Sequence, residues 1–111
     1  MSTIFGKIIK GELPSEKVFE GPSLIAIKDI HPQAPVHILI IPKKEYASLQ
    51  VIPKEELSIL VDIADVAQIL ARKFGVADNY RLVTNIGAEA GQSVFHLHFH
   101  LMGGKKLDPM G

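Results

Sequence analysis

Residues 95–102 read Phe95-His96-Leu97-His98-Phe99-His100-Leu101-Met102. Polar and apolar residues alternate along this stretch, and the side chains of a β-strand point alternately to its two faces. The alternation therefore predicts a strand that carries a row of imidazoles on one face and packs its other face into the core. Neighbouring histidines of the row would have Cα atoms about 6.6 Å apart, because a strand rises about 3.3 Å per residue.

A row of histidines on one strand face indicates a functional site. Each imidazole can gain a proton near neutral pH, so an ordinary half-exposed strand gains nothing from stacking them. One chemistry that uses such a row is zinc binding, in which a His-x-His pair takes a third ligand from elsewhere. His37 could supply that ligand, and Asp29 could supply an oxygen. The chain has no cysteine and no carboxylate at a fixed offset in the row, which weighs against zinc.

The second chemistry is nucleophilic attack on phosphorus. Neutral imidazole can attack a phosphoryl centre and form a covalent intermediate that water breaks. The preceding loop, Asn85–Ser93, favours this hypothesis because its two glycines allow backbone N–H groups to turn toward an anion. Asn85, Gln92 and Ser93 can add side-chain donors that stabilise charge on the phosphate oxygens.

The predicted strands share short apolar or β-branched runs bounded by turn residues. They are Lys17–Glu20, Leu24–Asp29, Val36–Ile41, Tyr80–Asn85 and Phe95–Met102. Val36–Ile41 is almost continuously apolar, so we expect both of its faces to be covered. Apolar residues at helical spacing predict a short helix over Thr3–Ile9, and two prolines make residues 30–35 a loop.

The longest predicted element is a helix over Lys54–Phe74, ended near Gly75. Its polar residues fall within one sector of about 80°, whereas its apolar residues cover more than half of the circumference. A single stripe facing a core needs only about 100°. The excess predicts burial of a second side of the helix against another subunit, the alternative being a helix that is merely apolar.

The order of these elements predicts the fold class. A long helix that follows three strands and precedes two more is typical of an α+β domain with an antiparallel meander. The strands before and after the helix, Val36–Ile41 and Tyr80–Asn85, could instead run parallel. At this length we expect a single domain over residues 1–111.

Composition narrows the partners and the location. The chain has 111 residues, 47% of them hydrophobic, and a formal net charge of zero. A chain of this length can form a core, but it would bury more of its surface with an oligomeric partner. Since the net charge is zero, no overall electrostatic attraction favours binding to nucleic acid or a membrane. The chain lacks cysteine, a secretory signal and an apolar run of membrane-spanning length, so we expect a cytoplasmic protein.

The histidine row matches a known signature. His96–Met102 fits the His-φ-His-φ-His-φ-φ pattern, where φ is apolar, of the histidine-triad (HIT) family. Other stretches resemble the Hint branch of that family, the purine nucleoside phosphoramidate hydrolases, so the resemblance covers nearly the whole chain. These stretches are Ile4–Ile9, Asp29–His37, Ile41–Lys44 and Gly91–Val94.

The resemblance implies a HIT-like fold for a single HIT domain: a five-stranded antiparallel sheet with one long and one short helix. It also implies a homodimer in which the long helices and edge strands pair, so that two sheets form one of ten strands. The wide apolar arc of the long helix agrees with this arrangement. The resemblance implies no required cofactor or metal, and zinc is not expected to take part in catalysis.

The resemblance also implies a role for each polar residue near the row. His98 would be the nucleophile that becomes nucleotidylated, kept neutral by burial and held by a backbone carbonyl on its other ring nitrogen. His100 would contact the α-phosphate oxygens, while His96 and His37 would complete the polar network that orients His98. Ser93 would hold the phosphate and help the departing amine gain its proton. Positive neighbours would stabilise the pentacoordinate charge.

The nucleotide itself would be a purine nucleoside monophosphate or a conjugate of one. By resemblance, Asp29 would accept hydrogen bonds from the ribose hydroxyls, with a capped turn as its alternative role. The loop residues implied in binding are Asn85, Gly91, Gln92, Ser93 and Val94. The residues implied around the base, for which core packing is the alternative, are Ile4, Phe5, Ile8, Ile27 and Ile30.

Two departures from the family pattern stand out. Lys28 replaces a histidine common in animal members, and we expect it to point away from Asp29. The tail after Met102 lacks the tryptophan that closes the neighbouring pocket in animal members, which affects selectivity for the leaving group.

Two other functions are compatible with the same residues. A zinc-binding protein would retain stoichiometric metal through dialysis. An interaction scaffold with a vestigial nucleotide site would keep its cellular function after His98→Ala.

Overall fold

The computed structural model describes residues 3–110. Within this range the helices are α1, Ile4–Ile9, and α2, Ile59–Lys73. The strands are β1, Lys17–Glu20; β2, Leu24–Lys28; β3, Val36–Pro42; β4, Tyr80–Val83; and β5, Phe99–Gly103. Neither helix of this range has both the length and the apolar character needed to cross a membrane.

The strands form one antiparallel sheet in the order β1-β2-β3-β5-β4. The first three strands are a meander, and β5 then lies between β3 and β4. Because β3 and β4 are both antiparallel to β5, they run in the same direction without pairing. The predicted α+β class and five-stranded antiparallel sheet are confirmed. The strands on either side of the long helix, β3 and β4, are parallel in direction, but β5 lies between them and is antiparallel to both.

Each face of the sheet is covered by one helix. The larger core lies against α2 and includes Leu24, Ile38, Ile40, Ile63, Leu70 and Leu101. The smaller core lies against α1 and includes Phe5, Ile8, Ile25, Ile27, Leu39 and Ile41. β3 contributes side chains to both cores, which confirms that its two faces are covered.

The short helix α1 begins at a hydrogen-bonded cap. Thr3 precedes the helix in an extended conformation, and its hydroxyl oxygen accepts a hydrogen bond from Gly6 N–H at 3.0 Å. A cap of this kind stabilises a helix by about 1 kcal/mol. Gly11, with a φ of 79°, follows the last turn, so the predicted helix and its end are confirmed.

The long helix begins later than predicted. Lys54–Glu56 form a separate 3-10 turn, and α2 starts only at Ile59. Between them Leu60 N–H donates to the carbonyl oxygen of Leu57 at 3.0 Å, three residues back instead of four. Such bonds wind the chain more tightly than an α-helix. Apolar periodicity does not distinguish these turns from α-helix, so only the predicted end near Gly75 is correct.

The last strand is shorter than predicted. β5 begins at Phe99, and residues 95–98 lie outside the ladder. Leu97 N–H donates instead to the Tyr46 carbonyl oxygen at 2.7 Å, so this segment is bound to the loop after β3. Leu97 is buried as predicted, but Phe95 is 50% exposed and does not join the core.

Two other strands also end before the predicted residue, so Asp29 and Asn85 lie in loops. Asp29 N–H still donates to the carbonyl oxygen of His37 at 3.0 Å. After β4, the hydroxyl of Thr84 donates to the carbonyl oxygen of His98 at 2.7 Å. The ends of β2 and β4 are therefore both bonded to histidine-bearing segments.

Candidate active site

The histidines lie on the sheet face that α1 covers. Residues directly opposite in an antiparallel ladder share a face. The β3–β5 register pairs His37 with Met102 and Leu39 with His100. Leu39 belongs to the core beside α1, so His37 and His100 lie on that face.

Ring contacts confirm the predicted row. The ring centroids of His98 and His100 are 5.1 Å apart. Phe5 of α1 packs edge-on against His98 at 4.8 Å and lies 6.2 Å from His96. His96 and His98 therefore both lie near Phe5 of α1, and His100 follows beside His98, although only His100 of the three lies within a strand.

His98 has a defined tautomer. Its Nδ1 lies 2.8 Å from the carbonyl oxygen of His96. A carbonyl only accepts, so Nδ1 carries the proton of the neutral ring and Nε2 carries the lone pair. This is the carbonyl contact that the sequence interpretation required, and it comes from within the histidine row.

His96 is not open to the cleft. Its ring is fully buried, Nε2 lies 2.9 Å from the carbonyl oxygen of Pro42, and Nδ1 lies 2.9 Å from Oγ1 of Thr3. The prediction that all the imidazoles of the row face a common cleft is therefore wrong for His96. The backbone carbonyl of His96, and not its ring, contacts His98.

His37 contacts His100 instead of His98. Gln33 N–H donates to Nδ1 of His37 at 2.9 Å, which places the proton of the neutral ring on Nε2. That nitrogen lies 2.9 Å from Nδ1 of His100 and donates to it. The neutral His100 ring then carries its own proton on Nε2. His37 thus joins the polar network beside His98 through His100, whose ring lies 5.1 Å from that of His98, and it does not bond to His98 itself.

Asp29 lies beside this pair. Its Oδ1 accepts from His31 N–H at 2.8 Å, which confirms the capped turn considered as its alternative role. Its Oδ2 lies 3.3 Å from Nε2 of His37. The carboxylate is thus fixed at the margin of the site, with one oxygen on the backbone and the other facing the imidazoles.

Burial keeps the imidazoles of the cleft neutral at pH 7. It lowers the pKa of His98 and that of His37 below the ordinary value of 6.5. Burial, together with the proximity of His98 and His37, lowers the pKa of His100 to about 4. His100 therefore offers a neutral N–H donor beside His98, in place of the positive neighbours expected from the sequence.

Gln92 organises the glycine-bearing loop from within. Its side chain is buried, and its amide nitrogen donates to the carbonyl oxygens of Ala47 at 2.7 Å and Val94 at 3.1 Å. Its amide oxygen accepts from Gly87 N–H at 2.9 Å. The prediction that Gln92 offers a free donor to phosphate is wrong, because its polar atoms hold the loop together.

The other polar residues of the loop remain candidates for anion binding. Gly91 has a φ of 102°, a left-handed conformation that favours glycine. A Cβ at this position would lie 3.4 Å from Nδ2 of Asn85, so the Asn85 amide lies against the Gly91 backbone. Ser93 is exposed. The structure therefore brings Asn85 and Gly91 together, as predicted.

The apolar residues expected around the base divide into two groups. Phe5, Ile8 and Ile27 belong to the core beside α1, so core packing is a role of all three, and the loop residue Val94 packs against the same core. By contrast, Ile4 is 49% exposed and Ile30 is 81% exposed. These two side chains are the ones left accessible to a ligand.

Lys28 points away from Asp29, as predicted. Its ammonium pairs with Oε2 of Glu16 at 2.8 Å and lies 6.0 Å from the ring centroid of Phe74. Phe74 ends α2, so Lys28 lies on the sheet face opposite the histidines.

Sequence reasoning missed two residues of the site. Gln33 acts through its backbone N–H, which carries no side-chain signal. Thr3 is visible in the sequence as a good helix cap, but its bond to His96 spans 93 positions and leaves no local pattern.

The chain is similar to known proteins over most of its length. The HIT domain matches residues 10–107. The chain belongs to the HIT family. A HIT-like protein of Chlamydia pneumoniae is 54% identical over 105 residues, which cover 95% of this chain and 96% of that protein. The structure of a HIT family hydrolase from Clostridium thermocellum is 50% identical, with a TM-score of 0.94 over 98% of this chain and 96% of that one.

The name of a further relative raises the question of metal. The 14 kDa zinc-binding protein of maize is 45% identical over 108 residues, covering 96% of this chain and 84% of that protein. Here Asp29, His37 and His100 each place one ligand atom within 4.8 Å of the others. A metal-bound imidazole donates from its other nitrogen, but Nδ1 of His37 accepts from Gln33 N–H. A proton on Nε2 therefore occupies the position where a metal needs a lone pair, and this set does not fit zinc.

Proposed function

We propose that this HIT protein is a purine nucleotide-binding hydrolase of the Hint branch. It cleaves nucleoside 5′-phosphoramidates, or related nucleotidyl conjugates, through a covalent nucleotidyl-histidine at His98. The observation that carries the proposal is the 2.8 Å bond from Nδ1 of His98 to the His96 carbonyl oxygen. It leaves a lone pair on Nε2 of a neutral ring, the form of imidazole that attacks phosphorus.

The α-phosphate would lie between His98 and the loop that carries Gly91. His100 supports this placement because its Nε2–H is free to donate to a non-bridging oxygen once Nδ1 is bonded to His37. The Asn85 amide, the Ser93 hydroxyl and the loop backbone would add donors. Fixed N–H and O–H dipoles can stabilise the charge that develops on these oxygens without a cationic side chain.

The first displacement forms one bond and breaks one. Nε2 of His98 bonds to the α-phosphorus, and the bond from phosphorus to the amine nitrogen breaks. The attached ring becomes cationic, and its Nδ1–H remains on the His96 carbonyl oxygen, where a charge-assisted bond is stronger than a neutral one. The hydroxyl of Ser93 relays a proton from water to the departing amine.

The second displacement repeats the geometry with water as nucleophile. The water that gave up a proton in the first step, now hydroxide, bonds through its oxygen to phosphorus. The bond from phosphorus to Nε2 breaks, and its electron pair returns to His98. Overall one water is consumed, and a nucleoside monophosphate and an amine are released. His98 ends in the same neutral tautomer in which it began.

The nucleoside would extend from the phosphate toward α1. The carboxylate of Asp29 is an acceptor suited to ribose hydroxyls, and its Oδ2 is 3.3 Å from His37. The exposed side chains of Ile4 and Ile30 would contact the base, and Phe5, Ile8 and Ile27 would support that wall from the core beneath.

The active form would be a homodimer. β4 is an edge strand of the sheet, and its backbone edge can pair with a second copy. On α2, Val61 is 68% exposed, and Ala64 and the nearby Leu57 are exposed on the same side. Joining α2 and β4 across a twofold axis would bury this apolar stripe and extend the sheet to ten strands.

The proposed chemistry is tested by single-turnover hydrolysis of an adenosine 5′-phosphoramidate. Wild-type protein should show an adenylate adduct in its intact mass during the burst, located on His98 by peptide mapping. His98→Ala should lose at least about a thousandfold in rate, since it removes the nucleophile.

A matched control is His31→Ala, which removes an exposed histidine side chain outside the row. It should hydrolyse at the wild-type rate. An unchanged rate for His98→Ala would remove His98 from the chemistry, and an adduct on another residue would identify a different nucleophile.

A further inference from the structure

We propose that Thr3 is a positioning residue for His98 and acts through His96. Oγ1 of Thr3 lies 2.9 Å from Nδ1 of His96, and the same oxygen accepts from Gly6 N–H at 3.0 Å. One hydroxyl thus caps α1 and holds a buried imidazole. The catalytic consequence rests on the proposed function, whereas the arrangement of protons is independent of it.

For a neutral His96 ring, the direction of each of these hydrogen bonds follows from its partners. Pro42 offers only a carbonyl oxygen, so Nε2 of the neutral ring carries the proton and Nδ1 is an acceptor. Gly6 N–H only donates, so the hydroxyl of Thr3 accepts from it and donates its own hydrogen to Nδ1. Every polar atom of the His96 ring is thereby satisfied in a site that excludes water.

Loss of the Thr3 hydroxyl would leave Nδ1 of His96 as a buried acceptor without a donor. The ring would then gain by rotating, or by moving its proton from Nε2 to Nδ1 and releasing Pro42. Either change shifts the His96 peptide, whose carbonyl oxygen holds Nδ1 of His98 at 2.8 Å. A released Nδ1 allows the proton of His98 to move to Nε2, which blocks the attacking nitrogen.

Phe5 links the same helix to the nucleophile by packing. Its ring lies edge-on to His98 at 4.8 Å, two positions after the Thr3 cap. Thr3 therefore aligns three parts together: the start of α1, the buried His96 and the orientation of His98. Serine at position 3 would carry the same hydroxyl and would keep both hydrogen bonds, to His96 and to Gly6 N–H.

The test compares Thr3→Val, which keeps the shape and removes the hydroxyl, with Thr3→Ser, which keeps the hydroxyl. Thr3→Val should lower kcat about tenfold with KM nearly unchanged, because an unsatisfied buried acceptor costs enough to disturb the site. Thr3→Ser should restore wild-type kcat. Nitrogen-15 NMR of the rings should show His98 protonated on Nδ1 in wild type and Thr3→Ser, and a tautomer mixture in Thr3→Val.

Lys7→Gly is the control for an effect on helix stability alone. The substitution lowers the stability of α1 at an exposed position and leaves both hydrogen bonds of the Thr3 hydroxyl in place. It should not change the His98 tautomer or kcat. Equal effects of Lys7→Gly and Thr3→Val would overturn the proposal, as would wild-type kcat and tautomers in Thr3→Val.

Two further outcomes remain decisive. If Thr3→Val does not fold, a wild-type spectrum with a protonated Nδ1 on His96 overturns the proposal, and an Nδ1 hydrogen-bonded as an acceptor supports it. If wild-type protein hydrolyses no phosphoramidate, the proposed function fails, while the His98 tautomer in the variants still decides the positioning role.

Discussion

Nε2 of His37 donates a hydrogen bond to Nδ1 of His100 across the β3–β5 ladder, at 2.9 Å. The bond fixes the His100 proton on Nε2, so the ring presents a donor to the cleft without carrying a charge. Because burial and the neighbouring rings lower its pKa to about 4, His100 remains a neutral donor through the physiological pH range.

The stability of the fold should fall as the pH is lowered from about 6.5 to about 4. In this window the unfolded chain binds a proton on His100 that the folded chain excludes, since the folded pKa is about 4 against an ordinary 6.5. Stability rises with pH wherever the unfolded state binds more protons. His100→Gln should therefore lose less free energy of unfolding than wild type between pH 7 and pH 5, measured by urea denaturation. His31→Gln, at an exposed histidine, should behave as wild type, and identical slopes for all three proteins would contradict the assignment.

Hydrolysis should persist on the acid side of pH 6.5. Attack requires neutral His98, and burial lowers the pKa of its imidazole below 6.5. The acid limb of kcat/KM against pH, corrected for uncatalysed hydrolysis, should accordingly have its midpoint below that value. A midpoint above 6.5 would show that His98 is charged more easily than its burial implies.

Gln92→Glu should destabilise the protein by about 2 kcal/mol, because a carboxylate cannot donate to the two carbonyl oxygens that the amide now contacts. Thermal and urea unfolding measure the loss. Gln50→Glu, on an exposed side chain, is the matched control and should change stability by less than about 0.5 kcal/mol. Equal stability of the two variants would mean that the Gln92 amide does not hold the loop.

Val61→Glu should convert the proposed dimer to a monomer in sedimentation velocity. The substitution places a charge in the exposed apolar stripe of α2, where burial against a second copy would desolvate it. Val51→Glu makes the same change at another exposed valine, 58% accessible and outside α2, and should leave the dimer intact. A wild-type protein that sediments as a monomer would refute the dimer directly.

Chelation of metal should leave phosphoramidate hydrolysis unchanged. The proton that Gln33 N–H places on Nε2 of His37 occupies the position that a metal would need. Protein dialysed against chelator and then supplied with zinc should show no gain in kcat over untreated protein. Loss of activity on chelation, restored by zinc alone, would show that His37 adopts the other tautomer.

The sequence predicts those features of the site that depend on neighbouring residues, and it does not predict those that depend on contacts with distant segments. Alternation along Phe95–Met102 predicts the histidine row, because side-chain direction has a two-residue period wherever the chain is extended. The same pattern cannot show that ladder pairing begins only at Phe99. That boundary depends on Leu97 N–H, which bonds to Tyr46 in a distant loop.

Gln92 and Thr3 show the same division. A polar residue in a glycine-bearing loop suggests a ligand contact, yet the side-chain amide of Gln92 forms hydrogen bonds with the backbone of Gly87, Ala47 and Val94. Thr3 begins a helix by a local rule, while its second bond reaches His96 only after the chain has folded. The spacing of residues along the chain predicts neither the hydrogen-bond partners of Gln92 nor the bond from Thr3 to His96.

Residue order along the chain is enough to indicate the family, the α+β class, the sheet-forming segments and the presence of several imidazoles on one side of the last segment. Those features follow from periodicity and short-range residue order. The burial of His96, the hydrogen bond from His37 to His100 and the nitrogen that carries the proton in each ring become visible in the folded chain alone. A tautomer is set by the donor or acceptor opposite each nitrogen, and folding decides which group lies there. The groups opposite the His96 ring and Nδ1 of His100 come from remote segments, whereas those opposite Nδ1 of His98 and Nδ1 of His37 are nearby backbone groups whose direction depends on the fold.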